Sequence, residues 1–328
     1  MKRSRQGCAR IDTDRDSFGG ELIRPVARHS VGGRKGQTAF TLVELLVVIS
    51  IISLMTAIIV PALSIVMRKA ESLRGMNNLK QVGMQLQLFA NDHQDRYPAS
   101  VATIGSSTGW NWYDPRRMVG SAQQTPTVHR SMSAYLKGYI EDPSLLACPS
   151  APQEYPYLEA MWAAGDAWGN PDTPPLLDPM KGSYCFYWNY EGMITQGSED
   201  RTRFRGPVGP GSSRKYSKLL VTDYYGKGTG HDGPPPLTFT SCEMFAGAAV
   251  NSKENVTAYW TRPVGLAEAV PVLSLKAVYT DGHVGTYGSD EVVEMSVIKA
   301  RSRTAPEVYG IGDDRSPGLF FLPADAMH

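Results

Sequence analysis

Several groups of residues in this sequence have the types and spacing to do chemistry. Gly105-Ser106-Ser107-Thr108-Gly109 fits G-x-S-x-G, in which a serine nucleophile sits on a strand-to-helix turn. The residues that follow, Trp110-Asn111-Trp112-Tyr113-Asp114-Pro115, make no helix start, so the match reads as a loop rich in Gly and Ser. Asp281 and His283 are candidate metal ligands, with Asp223 and Asp232 as further oxygen donors, but one Asp-Gly-His lacks the spacing of a metal motif. Asp281-Gly282 reads first as a hairpin turn. Gly288-Ser289-Asp290-Glu291 is oxygen-rich enough to offer a Ca²⁺ loop. Among the cysteines Cys8, Cys148, Cys185 and Cys242 there is no C-x-x-C pair, and Cys148 and Cys185 could form a disulfide in an oxidising compartment or remain buried free thiols. The sequence holds no H-E-x-x-H, Walker loop or Rossmann fingerprint, so no catalytic residue and no cofactor is assigned.

The elements that must position such groups belong to a chain able to fold. With 328 residues, 42% of them hydrophobic, it can bury a substantial core. Its 33 basic and 32 acidic residues leave a net charge of +1, which gives no field to attract nucleic acid, and no basic stripe follows the leader. Local charge is uneven at the front, where residues 1–39 hold nine Lys and Arg against four Asp and Glu.

From Leu45 to Val66 no charge occurs, and most residues are Leu, Ile or Val. As a helix this run extends about 33 Å, enough to cross a bilayer, and insertion is favoured by about 4–8 kcal/mol before corrections for Ser50, Ser53, Thr56 and Pro61. The run is longer than the apolar part of a cleaved secretory signal and leads into Arg68-Lys69, so it is expected to stay with the protein. The positive-inside rule predicts a single pass with the N-terminus in the cytoplasm and the domain beyond Met67 in the periplasm. Glu44 stands at the threshold of the run, where a carboxylate requires an explanation.

Phe40-Thr41-Leu42-Val43-Glu44-Leu45-Leu46-Val47-Val48-Ile49, after a basic leader and with Pro61 at the twenty-second place from Phe40, resembles the class III signal of type IV prepilins and type II secretion pseudopilins. The resemblance implies cleavage by a prepilin peptidase between Ala39 and Phe40 and N-methylation of the new Phe40 terminus. It implies too that Glu44 is an assembly residue, pairing with the terminal amine of a neighbouring subunit so that neither charge is buried alone. Ala39 departs from the Gly usual in the family and adds a methyl group at the scissile bond.

Beyond the apolar run the helix is expected to continue to about residue 92, with one stripe at Leu63, Val66, Ala70 and Leu73 and a second at Leu79, Val82, Leu86 and Phe89. The second stripe is predicted to pack on the following domain, with a kink or a change of packing partner near Gly75. Asn78-Leu79-Lys80-Gln81-Val82-Gly83, Leu146-Ala147-Cys148-Pro149-Ser150, Ser183-Tyr184-Cys185-Phe186-Tyr187-Trp188-Asn189, Lys218 to Asp223 and Ala277 to Val284 resemble, in order, fragments of a group of large bacterial pseudopilin-like proteins. Many of these carry a His where this chain has Pro271.

Lys218 to Tyr225 and Leu273 to Tyr279 are rich in β-formers, and Asp281-Gly282 predicts a hairpin. Segments 171–179, 206–213 and 231–236 read as Pro- and Gly-rich loops. The expected fold is α+β: a long N-terminal hydrophobic helix packed on a mainly antiparallel β domain. The expected organisation is a leader over 1–39, a membrane and assembly helix over 40–67, its continuation over 68–92, and a globular domain over 93–328. Trp110, Trp112, Tyr113, Trp162, Trp168 and Trp188 are read as core more than as a ligand surface.

The functional expectation is a non-enzymatic pilin-like subunit, a minor pseudopilin by the bulk of its domain. Its expected partners are prepilin peptidase, other pilin or pseudopilin subunits, a platform protein, a cytoplasmic ATPase and membrane lipid. The rival readings are a tethered domain that binds a polymer or cargo through Trp110 and Trp112, and a tethered hydrolase using Ser107 or the Asp281 region.

Overall fold

The computed structural model describes residues 40–103, 113–120, 128–151, 157–168, 180–196, 200–227, 239–242, 245–246, 262–263, 272–299, 307–308 and 319–327. The chain divides into two units, Met1–Ile58 and Ile59–His328, and the division falls within helix α1 (Leu42–Asp92). The helix is unbroken over 51 residues, about 77 Å at 1.5 Å per residue.

Its large apolar residues from Phe40 to Met67 are exposed, and among the described residues this helix alone is long and apolar enough to cross a membrane. Within the apolar stretch the Ser50, Ser53 and Thr56 hydroxyls donate to the carbonyls of Leu46, Ile49 and Ile52, and Ser64 Oγ donates to Pro61 O. These side chains satisfy their own polar atoms, so the surface the helix presents is almost wholly hydrocarbon.

Burial in α1 begins at Gly75 and continues through Leu79, Val82, Gly83, Leu86, Phe89 and Ala90. The second predicted stripe is therefore the one that packs, whereas Leu63, Val66 and Leu73 of the first are exposed. There is no break at Gly75; burial begins there, and a Cβ on this glycine would lie 3.8 Å from Pro149 and 4.0 Å from Lys276.

Among the described residues the second unit contains two large antiparallel sheets, two two-stranded pairs and two short α-helices, α2 (Met132–Leu136) and α3 (Leu158–Ala164). The strands of the two large sheets are β1 (Tyr184–Phe186), β2 (Glu191–Gln196), β3 (Asp200–Arg205), β4 (Leu219–Asp223), β5 (Tyr225–Lys227) and β6 (Phe239–Ser241), followed after two short strands, β7 (Phe245–Ala246) and β8 (Arg262–Pro263), by β9 (Leu275–Tyr279), β10 (Val284–Tyr287) and β11 (Val292–Ser296). A further short pair, β12 (Ile298–Lys299) and β13 (Glu307–Val308), precedes β14 (Leu319–Pro323). One sheet has the order β1-β4-β9-β10 and the other β3-β2-β11-β14-β5-β6.

The buried half of α1 lies on the four-stranded sheet. A Cβ on Gly83 would stand 3.0 Å from Val278 Cγ2, so this glycine sets how near the helix axis comes to β9. Gln87 Nε2 donates to Thr280 O (2.7 Å) and Asn78 Nδ2 to Ala147 O (3.3 Å), polar contacts that fasten the two flanks of the buried helix face. One core cluster joins this helix face to residues of both sheets, including Val221, Val278, Met295, Phe320 and Leu322. Trp162, Trp168 and Trp188 lie in that core, as predicted, while Trp110 and Trp112 are outside the described residues.

The β9–β10 hairpin forms at the predicted Asp281-Gly282, with Gly282 at φ +85°. Lys218 to Tyr225 supplies β4 and the start of β5.

A buried ionic group fixes the start of the segment after residue 112. Asp114 accepts from Arg116 Nε and Nη2 (2.9 and 2.7 Å) and faces Lys181 Nζ at 2.9 Å, and the Arg116 guanidinium lies 4.5 Å over the Tyr224 ring. Burial alone would raise the Asp114 carboxyl, but the charges of Arg116 and Lys181 outweigh it and hold the group well below the usual carboxylate range.

Two predictions follow from these contacts. Gly83→Leu overfills the helix–sheet contact and should destabilise the folded domain by about 1–3 kcal/mol, less about 1 kcal/mol of gained helix propensity. Thermal denaturation reads it, and an unchanged midpoint would show that α1 does not rest on Val278. Asp114→Ala should cost about 3–5 kcal/mol in urea titrations, because it takes away the buried carboxylate that the Arg116 guanidinium and the partly buried Lys181 ammonium both face. A carboxyl lowered on folding contributes its full stability above the unfolded value of about 4 and loses it as pH falls further, so the variant should also flatten the acid limb of the stability profile.

Candidate assembly site

The start of α1 is built by two side chains that close on each other. Thr41 N–H and Thr41 Oγ1–H both donate to Glu44 Oε2 (2.8 and 2.7 Å), and Glu44 N–H donates to Thr41 Oγ1 (3.2 Å). The Thr41 carbonyl accepts from Leu45 N–H at 3.2 Å, the first bond of the helix. This is a capping box, in which the residue before the helix and the third helical residue satisfy each other's open donors. A carboxylate in the first turn also meets the positive end of the helix dipole.

The site thus places Glu44 where its carboxylate gathers donors from the chain end. Phe40 is exposed and immediately precedes Thr41, so the Phe40 nitrogen is one peptide unit from the N–H that Glu44 already holds. A carboxylate has about four lone-pair sites and can accept a further donor besides those of Thr41. Ala39 lies outside the described residues. Pro61 lies inside α1, where its missing N–H leaves the Ala57 carbonyl without its usual helical donor, yet the helix continues past it.

The remaining predicted site residues separate. Asp281 Oδ1 accepts from His283 N–H (3.1 Å) and contacts His283 Nδ1 (2.6 Å), and both side chains are about half exposed on the hairpin turn. They form a local turn pair. Asp223 is elsewhere, fully buried on β4 and paired with Lys276 Nζ at 2.8 Å, and Asp232 is outside the described residues. In the oxygen-rich turn Glu291 Oε2 accepts from Gly288 N–H (2.9 Å) and so closes the turn on itself. The G-x-S-x-G serine, Ser107, lies outside the described residues.

Of the cysteines, Cys148 is brought to Cys242, with Sγ to Sγ at 3.0 Å, and the three described cysteines are free. Cys185 instead interacts with Tyr187 and Thr222, and burial pushes its thiol far up. Cys148, Asp223 and Cys242 form a buried group whose candidate ligand atoms lie within 4.8 Å of one another. Two thiolates on tetrahedral zinc stand about 3.8 Å apart, from a Zn–S bond of about 2.3 Å, so the sulfurs here are closer than a zinc site holds them. Asp223 is meanwhile occupied by Lys276.

Two of these arrangements were missed from the sequence for different reasons. The Thr41–Glu44 box had a signal, a Thr three places before a Glu at the head of an apolar run. The Cys148–Cys242 contact spans 94 positions and has no local signal.

Neither a curated protein nor a solved structure matches the chain. Residues 34–60 match the family described as the prokaryotic N-terminal methylation motif, a span that holds Ala39, Phe40, Glu44 and the first five turns of α1. The chain therefore carries at its N-terminus the class III prepilin signal of type IV pilins and pseudopilins.

Proposed function

We propose that this chain is a minor pseudopilin-like subunit of a type II secretion or type IV pilus-like filament, in which its role is structural and not catalytic. The observation that carries this reading is the coincidence of the methylation motif with the capped, fully exposed apolar start of α1. An isolated helix of this composition is stable only where lipid or other helices cover it.

In this reading a prepilin peptidase cuts between Ala39 and Phe40 on the cytoplasmic side and methylates the Phe40 nitrogen. The resulting ammonium lies within reach of the Glu44 carboxylate of its own chain and, in a filament, of a neighbour's. An ion pair in that apolar setting is favourable only if both charges find each other, which selects the stagger at which helices pack. The domain beyond Met67 stands in the periplasm. Lifting the apolar stretch out of lipid costs several kcal/mol, so a platform protein and a cytoplasmic ATPase supply the work. A domain of this bulk suits a minor or tip position better than the repeating one.

The direct test is intact mass and N-terminal sequencing of the protein from its native membrane, with and without active prepilin peptidase. The expected product begins at N-methyl-Phe40 and depends on the peptidase; an uncut leader in cells with active peptidase would sink the reading. A second test separates the two roles of Glu44. Glu44→Gln keeps a side chain that can cap the helix but removes the charge, so processing and membrane insertion should persist while co-assembly with partner subunits, read by cross-linking, is lost. Wild-type assembly in that variant would assign Glu44 to the cap alone.

A further inference from the structure

The buried contact between Cys148 and Cys242 belongs to the second unit and has no part in the proposed assembly role of Glu44. Its position is fixed by hydrogen bonds from backbone N–H groups that do not involve sulfur. Cys148 N–H donates to Ser183 Oγ (2.7 Å), Tyr224 N–H donates to Ser183 O (3.1 Å), and Cys242 N–H donates to Tyr224 O (2.7 Å). Ser183 leads into β1, and Tyr224 links β4 to β5, so the two cysteines hang from the same corner of the two sheets. Both thiols are buried, and the Cys148 side and burial together hold the Cys242 thiol well above its ordinary range.

We infer that Cys148 and Cys242 form a disulfide when the domain folds in contact with an oxidising thiol–disulfide pool. The thiolate of one cysteine attacks a small-molecule disulfide, forming a mixed disulfide and releasing one thiol. The second cysteine's thiolate then attacks the protein sulfur of that mixed disulfide and releases the other thiol. The protein loses two electrons and two protons, and the small-molecule disulfide is reduced to two thiols. Exchange takes place before β6 closes on β5, since both sulfurs are covered afterwards. β6 is a three-residue edge strand, half the length of β3 at the other edge, and pairs with β5 alone.

The bond would tie an edge strand to the turn that also receives Asn78 of α1 through the Ala147 carbonyl. It closes a loop of 94 positions, a length at which cross-linking removes much of the unfolded chain's freedom.

The test uses the full chain in detergent, carried through urea and refolded in a buffer of oxidised and reduced glutathione, then digested without reduction and analysed by mass spectrometry. A peptide joining Cys148 to Cys242 is expected. It should vanish on adding dithiothreitol and persist in Cys185→Ser, and its reduction should lower the thermal midpoint by about 5–15 °C. The midpoint of Cys242→Ala should not respond to dithiothreitol, and Cys148→Ala provides the same reading if that variant fails to fold. Free thiols at both positions in the refolded chain, a bond that uses Cys185, or one zinc ion per chain shielding the pair from alkylation would each overturn the inference.

Discussion

Backbone hydrogen bonds closed within α1 are the condition on which everything else in this molecule rests. Because the interior N–H and C=O groups pair along the helix, with Pro61 the position that lacks an N–H, one segment can be apolar on all sides at one end and one-sided at the other without changing its secondary structure. The change of environment is then written only in side chains. Up to Met67 every large apolar residue of the helix is exposed, and from Gly75 onwards a single face turns to the β domain. The hydroxyls of Ser50, Ser53 and Thr56, folded onto their own helix, are part of the same economy, since each would otherwise present an open polar atom to hydrocarbon.

The two ends of that helix are specified by different physics. At Thr41 and Glu44 the specification is local, and the spacing of two residues is enough to build it. At Gly83 it is non-local: the absence of a side chain matters only because Val278, nearly two hundred residues later, stands where a larger residue would intrude. The charges in the domain show the same contrast. His283 and Asp281 meet because they are neighbours on a turn, whereas Asp223 meets Lys276 because β4 pairs with β9 and brings opposite charges to one buried level.

That difference explains what could be read in the sequence. Helical period, β-forming runs and the Asp281-Gly282 turn are local patterns, so the long helix, the buried stripe from Leu79 to Phe89, and the β9–β10 hairpin were legible. The N-terminal motif was legible for the same reason, being a short run of types at fixed spacing. The order of strands in the six-stranded sheet was not, because β2, β11, β14 and β5 come together from widely separated segments. Nor was the neighbour of Cys148. The spacing of three thiols cannot say which two approach, and here the answer depends on Ser183 and Tyr224, neither of which has any feature of its own that points to cysteine.

Along the buried half of α1 the apolar row from Leu79 to Phe89 and the hydrogen bonds of Asn78 and Gln87 lie side by side in the direction of the helix axis. Tension applied along that axis loads them all at once, as in a lap joint, instead of opening them one by one as a zipper opens. The grip of the domain on its helix is therefore strongest in the direction in which a rod is pulled and weakest against being peeled sideways.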